Sequence, residues 1–180
     1  MTLNQSKNFF NIVLYNPEIP QNSGNIARMC VANDLHLHFI EPLGFEINDK
    51  YLKRSAMDYW EDLKFTIHKN WEEFLSKEGF PSLDNNNHEA SKQCKNIKGN
   101  SIYFLSSKVK KSFWDISYKT GDYLVFGSEG SGLPKTFNTI YAENFLTVPM
   151  SSGKARCLNL ASTTQTVYYE AYRQTHLVTD

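Results

Sequence analysis

Hydrophobic residues in this chain occur in short runs that end in polar loops. Residues 11–15 form the first run, and the two prolines that follow it predict a strand and then a loop that is not helical. Asn22 and Ser23 offer N-cap oxygens to a helix whose apolar residues recur at helical spacing over 26–32. Residues 37–40 form a second apolar run. This β-loop-α-β order predicts two parallel strands at the start of the chain.

The same alternation of helix and strand patterns continues toward the C-terminus. The further predicted elements are a helix over 49–59, a strand over 63–67, a helix over 71–75 capped by Asn70, strands over 101–105, 123–126 and 145–148, and a C-terminal helix with the stripe Leu160, Thr164, Val167 and Ala171. Residues 81–100 hold few apolar side chains and are predicted to be a surface insertion. The whole pattern predicts an α/β fold, a parallel sheet flanked by helices, in a single domain over 1–180.

Composition and charge exclude several classes of protein. The chain has 180 residues, of which 41% are hydrophobic, so we expect a packed globule and not a disordered or low-complexity chain. Lys and Arg together number 19, as do Asp and Glu, so any nucleic-acid site must be a local patch. The N-terminus lacks the apolar run of a signal peptide, and no stretch of about 18 apolar residues exists. We therefore expect a soluble protein with no membrane association.

Cysteine and histidine spacing argues against disulfides and metals. The three cysteines, Cys30, Cys94 and Cys157, form no CxxC pair and are odd in number, which disfavours a disulfide framework or a structural zinc site. The cytoplasm is the expected location. Among the histidines, His36 and His38 alternate on a predicted strand and would need further ligands, so no metal is expected.

Three polar loops follow apolar strands and are candidates for the functional site. They cover residues 16–25, 127–134 and 149–160. In open α/β sheets, ligands bind beyond the carboxyl ends of the strands, where these loops are expected. The loop at 127–134 lacks the GK[ST] ending of a P-loop and is not continued as GxGxxG, so kinase, ATPase and nicotinamide-dependent oxidoreductase functions lose their main support.

Taken in order, the motifs of these loops resemble those of one known class of enzyme. NSGNIAR at 22–28, FGSEGSGLP at 126–134, and VPM at 148–150 continuing to LNLAS at 158–162 are similar to the three motifs of SPOUT-class RNA ribose 2′-O-methyltransferases. The chain looks closest to the TrmL-type (YibK-like) branch, which methylates the tRNA wobble nucleotide. The resemblance covers nearly the whole chain outside 81–100.

The resemblance implies a fold, a reaction and partners that periodicity cannot supply. It implies a SPOUT fold with a C-terminal deep trefoil knot, S-adenosylmethionine as cofactor, and a homodimer in which each site borders the partner chain. The implied reaction is 2′-O-methylation of the ribose of nucleotide 34 in the tRNA anticodon loop, with leucine tRNAs as the substrates. Two alternatives stay open, namely methylation of another tRNA or rRNA site and an inactive RNA-binding module.

The resemblance also implies catalytic roles for four residues. Arg28 resembles the family's catalytic arginine and is interpreted as a clamp on an RNA phosphate and the reacting ribose, with a helix salt bridge as its alternative role. Asn22 and Asn159 would be polar anchors near the methyl donor and the ribose, and helix capping is the alternative for both. Glu129 would place negative charge near the sulfonium or orient Arg28, with an exposed turn carboxylate as the alternative.

Five further residues match the family's cofactor contacts. The backbone atoms of Leu105, Gly127, Val148, Cys157 and Leu158 are the implied contacts, and the glycine is expected to leave space for the adenosine. Cys157 stands where the closest relatives usually have Ser. We expect it to be a buried, inert thiol, because methyl transfer from a sulfonium needs no covalent enzyme intermediate.

Two basic clusters are candidates for binding RNA. They are Lys50, Lys53 and Arg54 on the second predicted helix, and Lys108, Lys110, Lys111 and Lys119 around Phe113 and Trp114. Basic and aromatic side chains together suit single-stranded RNA, whereas a solvated surface is the alternative for each cluster taken alone.

Overall fold

The computed structural model describes residues 10–47, 57–82, 94–152 and 154–176. Within them the chain forms strands β1 (Asn11–Tyr15), β2 (His36–Ile40), β3 (Lys64–His68), β4 (Ile102–Leu105), β5 (Tyr123–Phe126) and β6 (Phe145–Leu146), and helices α1 (Pro20–Ala32), α2 (Trp71–Glu78), α3 (Lys135–Ile140) and α4 (Leu160–His176). The strands form one sheet in the order β3-β2-β1-β5-β4-β6, and every pairing is parallel. The predicted parallel α/β fold is therefore confirmed.

The strand register aligns the carboxyl ends of the central strands. Phe126 of β5 pairs with Leu14 of β1 on one side and with Leu105 of β4 on the other. Leu105 in turn pairs with Leu146 of β6. Because all strands are parallel, the loops that follow β1, β4, β5 and β6 leave the sheet at the same edge.

Helices cover both faces of the sheet, because successive residues of each strand point to opposite sides. Ile12 and Leu14 of β1 are fully buried in a core that includes Val167 and Tyr168 of α4 as well as residues of α1. Val13 faces the opposite core, which is formed with aromatic residues of α2 and α3. The buried runs in the sequence thus reflect a sheet that is covered on both faces.

Helix α1 begins earlier than the sequence indicated. Pro20 is the first helical residue, and the N-cap is Ile19, which makes no side-chain capping bond. Proline is tolerated at the first helical position, because its fixed φ suits a helix and its missing N–H would have no partner there. The expectation that Asn22 and Ser23 cap this helix is therefore wrong. Both are buried in its first turn instead.

Other boundaries agree with the sequence or shift by one to three residues. The predicted capping by Asn70 is confirmed, because Glu73 N donates to Asn70 Oδ1 at 2.9 Å. The strand predicted over 145–148 ends at Leu146. Residues 49–56 of the predicted second helix lie outside the described residues, and Met57–Asp62 form a 3₁₀ helix. Helix α3 was not predicted.

Part of the segment predicted as a surface insertion packs against the fold. Residues 83–93 lie outside the described residues. Beyond them, Cys94 and Asn96 are buried, and Asn96 Oδ1 accepts hydrogen bonds from the backbone N–H groups of Lys98 and Asn100, both at 3.0 Å. Among the described helices, none has the length and apolar character to span a bilayer.

Candidate active site

The carboxylate of Glu129 connects the loop after β5 to the loop after β1. Its Oε2 accepts a hydrogen bond from Glu18 N at 2.8 Å, and its Oε1 accepts from Ile19 N at 3.3 Å and from Asn22 Nδ2 at 2.8 Å. These donors come from the start of α1, where the backbone N–H groups have no partner within the helix. Glu129 is therefore an anchor for the N-terminus of α1 and not an isolated turn carboxylate.

Asn159 extends this connection to the start of α4. Its Nδ2 donates to Asn22 Oδ1 at 2.9 Å, and its own Oδ1 accepts from Ala161 N at 2.9 Å, which caps the helix. Asn22 thus uses its amide N–H toward Glu129 and its carbonyl toward Asn159. The three residues, which we call the Glu129–Asn22–Asn159 chain, join segments that are more than a hundred residues apart.

Glu18 is a site residue that the sequence interpretation missed. Its Oε2 accepts a hydrogen bond from Gly130 N at 3.1 Å, while its own N–H donates to Glu129. The loop after β1 and the loop after β5 therefore each provide a carboxylate that accepts a backbone hydrogen bond from the other loop. The sequence signal was an acidic residue between two prolines after a strand, which alone indicates only a turn. Two carboxylates at one cluster of loops favour a cationic ligand.

The glycine loop folds tightly on itself. A Cβ at Gly127 would lie 2.3 Å from the carbonyl carbon of Gly132 and 2.5 Å from Leu133 N. Gly132 N donates to Ser128 O at 3.0 Å, and Gly132 has a φ of +73°, which favours glycine. The closest obstacle to a side chain at Gly127 is therefore the loop's own backbone. The expectation that this glycine leaves space for the adenosine stays a prediction.

The structure brings three of the predicted cofactor contacts to one edge of the sheet. Leu105 ends β4, Gly127 follows β5 directly, and Val148 follows β6 by two residues. Cys157 and Leu158 lie just before Asn159, which is bonded to Asn22. The loop after β6 therefore reaches the same side of the fold.

The expectation that Cys157 is buried is wrong. Its side chain is exposed, as are all residues from 154 to 159. Leu158 is 43% exposed. Cys30 and Cys94 are the buried cysteines, and burial raises the pKa of Cys94 to about 11.

Arg28 lies outside the Glu129–Asn22–Asn159 chain. Its side chain is exposed on α1, and its guanidinium carbon lies 5.9 Å from the centre of the Tyr59 ring, within range of a cation–π contact. Among the described residues it forms no salt bridge, so it is neither oriented by Glu129 nor held by an ion pair along its helix. The exposed guanidinium can therefore contact a ligand that arrives from solvent.

An exposed tryptophan lies beside the edge of the sheet that carries the site. Trp114 is 61% exposed in a short 3₁₀ helix, where its backbone N–H donates to Ser112 Oγ at 3.2 Å. Ser112 itself pairs with Thr147, one residue before Val148. Of the neighbouring lysines, Lys108, Lys110 and Lys111 are exposed, and Lys111 Nζ donates to Glu143 O at 2.7 Å. The other basic cluster, Lys50, Lys53 and Arg54, lies outside the described residues.

Solved structures share this fold. One described as giving structural insights into the 2-OH methylation of C/U34 on tRNA has a TM-score of 0.77 and 35% identity, and covers 93% of this chain and 96% of its own. The SpoU methyltransferase AviRb from Streptomyces viridochromogenes, solved with AdoMet, has a TM-score of 0.72 over 96% of this chain and 60% of its own. At 19% identity, that second likeness shows the fold alone. Fold and site together define an α/β protein with the fold of these solved structures.

The sequence comparison gives the family directly. The chain belongs to the SpoU rRNA Methylase family, whose model matches residues 10–169. The tRNA (cytidine(34)-2'-O)-methyltransferase of Saccharophagus degradans is 39% identical over 166 residues, which cover 92% of this chain and 95% of the relative. The enzyme of the same name from Escherichia coli strain K12 is 38% identical, covering 91% and 92%. The family predicted from the three motifs is confirmed.

We expect Asn22→Asp to break the Glu129–Asn22–Asn159 chain. The substitution keeps the shape of the side chain but replaces the N–H donor toward Glu129 with a second negative oxygen. An unsatisfied buried polar group costs about 1–3 kcal/mol, so the free energy of unfolding should fall by about that amount. Urea denaturation measures it.

The double variant Asn22→Asp with Glu129→Gln provides the control. It restores a donor opposite an acceptor, because the glutamine amide can donate to the new carboxylate. Part of the lost stability should return, because the same amide group then faces the Ile19 N–H, which loses its acceptor. Equal stability of Asn22→Asp and the wild type would show that the hydrogen bonds of the Glu129–Asn22–Asn159 chain contribute nothing to the stability of the fold.

We expect Gly127→Ala to destabilise the protein more than Gly130→Ala. The first methyl group meets backbone atoms that cannot move without opening the loop, whereas the second meets the end of the Glu18 side chain, with Oε2 at 2.8 Å, which can rotate away. Overpacking of this kind costs about 1–3 kcal/mol. Urea denaturation of both variants measures the difference, and equal losses would contradict the assigned role of Gly127.

Proposed function

We propose that this chain transfers a methyl group from S-adenosylmethionine to the ribose 2′-hydroxyl of wobble nucleotide 34 in tRNA, with leucine tRNAs as the substrates. The proposal rests on the Glu129–Asn22–Asn159 chain, which connects one residue from each of the three family motifs at a single edge of the sheet. Relatives of the same length carry the name of this activity. A tRNA substrate is consistent with a cytoplasmic protein.

The residues at this edge fit S-adenosylmethionine chemically. The cofactor would supply a methyl group on a positively charged sulfur. The carboxylates of Glu18 and Glu129 concentrate negative charge at the cluster of loops, which suits a cation. Val148 is half-buried and Leu158 is exposed. Both offer apolar surface for a nucleoside at the same edge. Gly127 allows the backbone of the glycine loop to pack closely on itself beside these side chains.

Arg28 is the group that we assign to the RNA. Its guanidinium is exposed and positively charged, and it offers five N–H donors in a fixed fork. It can therefore hold a phosphate and orient the ribose. S-adenosylmethionine bound at this edge would supply the methyl group to the 2′-oxygen of that ribose.

Trp114 and the lysines beside it are proposed as the surface for the anticodon loop. Unpaired bases stack on aromatic side chains, and nearby lysines bind phosphates. Ser112 and Asp115 cap the turn from both sides, with Trp114 N and Ser112 N as donors at 3.2 Å, so the indole is presented on a rigid support. Thr147 connects this turn to the edge that carries Val148.

Two structural features of the family are part of the proposal. We propose that the C-terminal third forms the deep trefoil knot, supported by family membership.

We also propose a homodimer in which each site borders the partner. The exposed segment 154–159 and Tyr169 of α4, which is 51% exposed, offer surface that a second copy can cover. Light scattering should give about twice 20.8 kDa, and a monomer that methylates tRNA would contradict the dimer.

The decisive experiment is to map the methyl group. Purified protein is incubated with labelled S-adenosylmethionine and total tRNA, and the modified tRNAs are digested to locate the modified ribose. We expect 2′-O-methylation at nucleotide 34 of leucine tRNAs. Label at another position or in rRNA would support a different site of action. Binding of tRNA without methylation would support the inactive RNA-binding module.

We expect Arg28→Ala to separate cofactor binding from turnover. The variant should bind S-adenosylmethionine as the wild type does, because Arg28 forms no salt bridge with Glu129 among the described residues. Turnover should fall about 10²-fold or more, roughly 3 kcal/mol, as is usual for an interaction made in the transition state. Calorimetry and single-turnover methylation measure the two effects.

Arg28→Lys tests the fork geometry. It should recover little activity, because an ammonium group cannot form the bidentate contact. Gly127→Ala gives the opposite contrast, since opening the glycine loop should weaken cofactor binding itself. If Arg28→Ala methylates tRNA at the wild-type rate, the role assigned to Arg28 is wrong.

A further inference from the structure

Two buried histidines and a glutamate meet on the face of the sheet that α2 covers, on elements that do not carry the proposed active site. His38 lies in β2, His68 ends β3, and Glu78 ends α2. His38 Nδ1 lies 3.0 Å from His68 Nε2 and 3.8 Å from Glu78 Oε1. One ligand atom from each residue lies within 4.8 Å of the others. Three donors from three separate elements therefore converge on one point.

The separations match what a small divalent cation needs. Bonds of about 2.0–2.2 Å in a tetrahedral site put neighbouring ligand atoms about 3.3 Å apart. The observed 3.0 Å and 3.8 Å lie on either side of that value, and the ligand atoms of His68 and Glu78 lie within 4.8 Å of each other, so side-chain rotations would bring the three donors around one ion. Two imidazoles and one carboxylate form a ligand set that zinc prefers, whereas magnesium and calcium prefer oxygen ligands alone.

Glu78 is already held in the orientation of a ligand. Its Oε2 accepts a hydrogen bond from the Tyr123 hydroxyl at 2.7 Å, and its backbone carbonyl accepts from Asn96 Nδ2 at 3.1 Å. Oε1 is thereby directed toward the histidines. A hydrogen bond to the second oxygen of a carboxylate is the usual support for a metal ligand. The Glu78 side chain is 23% exposed, which gives an ion and a water a route to the cluster.

The buried histidines are electrically suited to this role. Burial lowers the pKa of both His38 and His68, so each ring is neutral at physiological pH and has a lone pair to donate. His36 is stacked beside His38 but has its Nε2 within 2.8 Å of Thr66 Oγ1, so it is not part of the cluster. The outer nitrogens, His38 Nε2 and His68 Nδ1, have no hydrogen-bond partner.

These unpartnered outer nitrogens set the expected affinity. Histidines that bind metals usually donate their second N–H to a carboxylate or carbonyl, and loss of such a partner weakens binding about 10- to 100-fold. A site that lacks this support on both rings is expected to bind its ion with micromolar affinity. Such an ion would exchange with the solution and would not be retained permanently.

We propose that His38, His68 and Glu78 form a zinc-type divalent cation site that links β2, β3 and the end of α2. A water molecule completes the coordination through the exposed side of Glu78. The bound ion attaches α2 to the sheet at a point where buried aromatic contacts, such as Phe74 against both imidazoles, are the other connections. It stabilises the fold and takes no part in methyl transfer.

A cobalt titration tests this site. Co²⁺ replaces zinc in sites of this kind and absorbs visible light strongly when four-coordinate. The untagged wild-type protein should bind one Co²⁺ per chain with micromolar affinity, and Zn²⁺ should abolish the absorption. Glu78→Gln keeps the side-chain shape and should weaken binding at least about tenfold. His68→Gln should do the same.

Two variants control for other ligands. His176→Gln removes a histidine that is stacked on Tyr172 in α4, and Cys157→Ser removes the exposed thiol. Both should bind Co²⁺ as the wild type does. The proposal is overturned if the wild type gives no four-coordinate spectrum, or if Glu78→Gln and His176→Gln bind equally.

Thermal unfolding gives a readout that does not depend on spectroscopy. Zn²⁺ should raise the melting temperature of the wild type and of His176→Gln, but not that of Glu78→Gln. An equal rise in all three would overturn the proposal. Calorimetry with S-adenosylmethionine should give the same affinity for Glu78→Gln as for the wild type, so the outcome is independent of the proposed function.

Discussion

The side-chain amide of Asn22 is buried and must satisfy both its donor and its acceptor, and the arrangement of the site depends on this constraint. Its N–H reaches Glu129 and its carbonyl reaches Asn159. The position of α1 therefore fixes the glycine loop and the start of α4 together. Because the three partners come from distant parts of the chain, the site forms only when the sheet is complete and its loops leave one edge.

Much of the fold could be predicted from the sequence because each core strand is a short apolar run, and such runs are typical of a sheet buried on both faces. The start of α1 could not, since Pro20 is compatible with a loop as well as with a first helical turn. Asn22 illustrates the consequence. A capping role is the local interpretation of an asparagine, whereas its true partners, Glu129 and Asn159, lie more than a hundred residues away.

The remaining errors share the same physical origin. Glu18 has an unremarkable sequence context, and its importance comes from the approach of Gly130 across the sheet. The exposure of Cys157 depends on what packs over a loop, which residue type alone does not determine. The contact between His38 and His68, on which the proposed cation site rests, likewise depends on the register of β2 against β3, in which His38 lies opposite Thr66 and His68 opposite Ile40. The expectation of no metal stays a prediction, because spacing along the chain does not show which side chains of two parallel strands and a helix meet.

Some side chains at this edge are hydrogen-bonded within the protein and others are exposed to solvent. This difference indicates how the proposed reaction would be organised. Glu18, Glu129, Asn22 and Asn159 are joined by hydrogen bonds, so they need little reorganisation when a ligand arrives. Arg28 and Trp114 extend into solvent from well-packed elements. Groups of the first kind suit a small cationic cofactor, which requires a fixed pocket. Groups of the second kind suit a flexible RNA loop, whose phosphate and bases complete the contacts, so that the catalytic geometry is reached only when the RNA is bound.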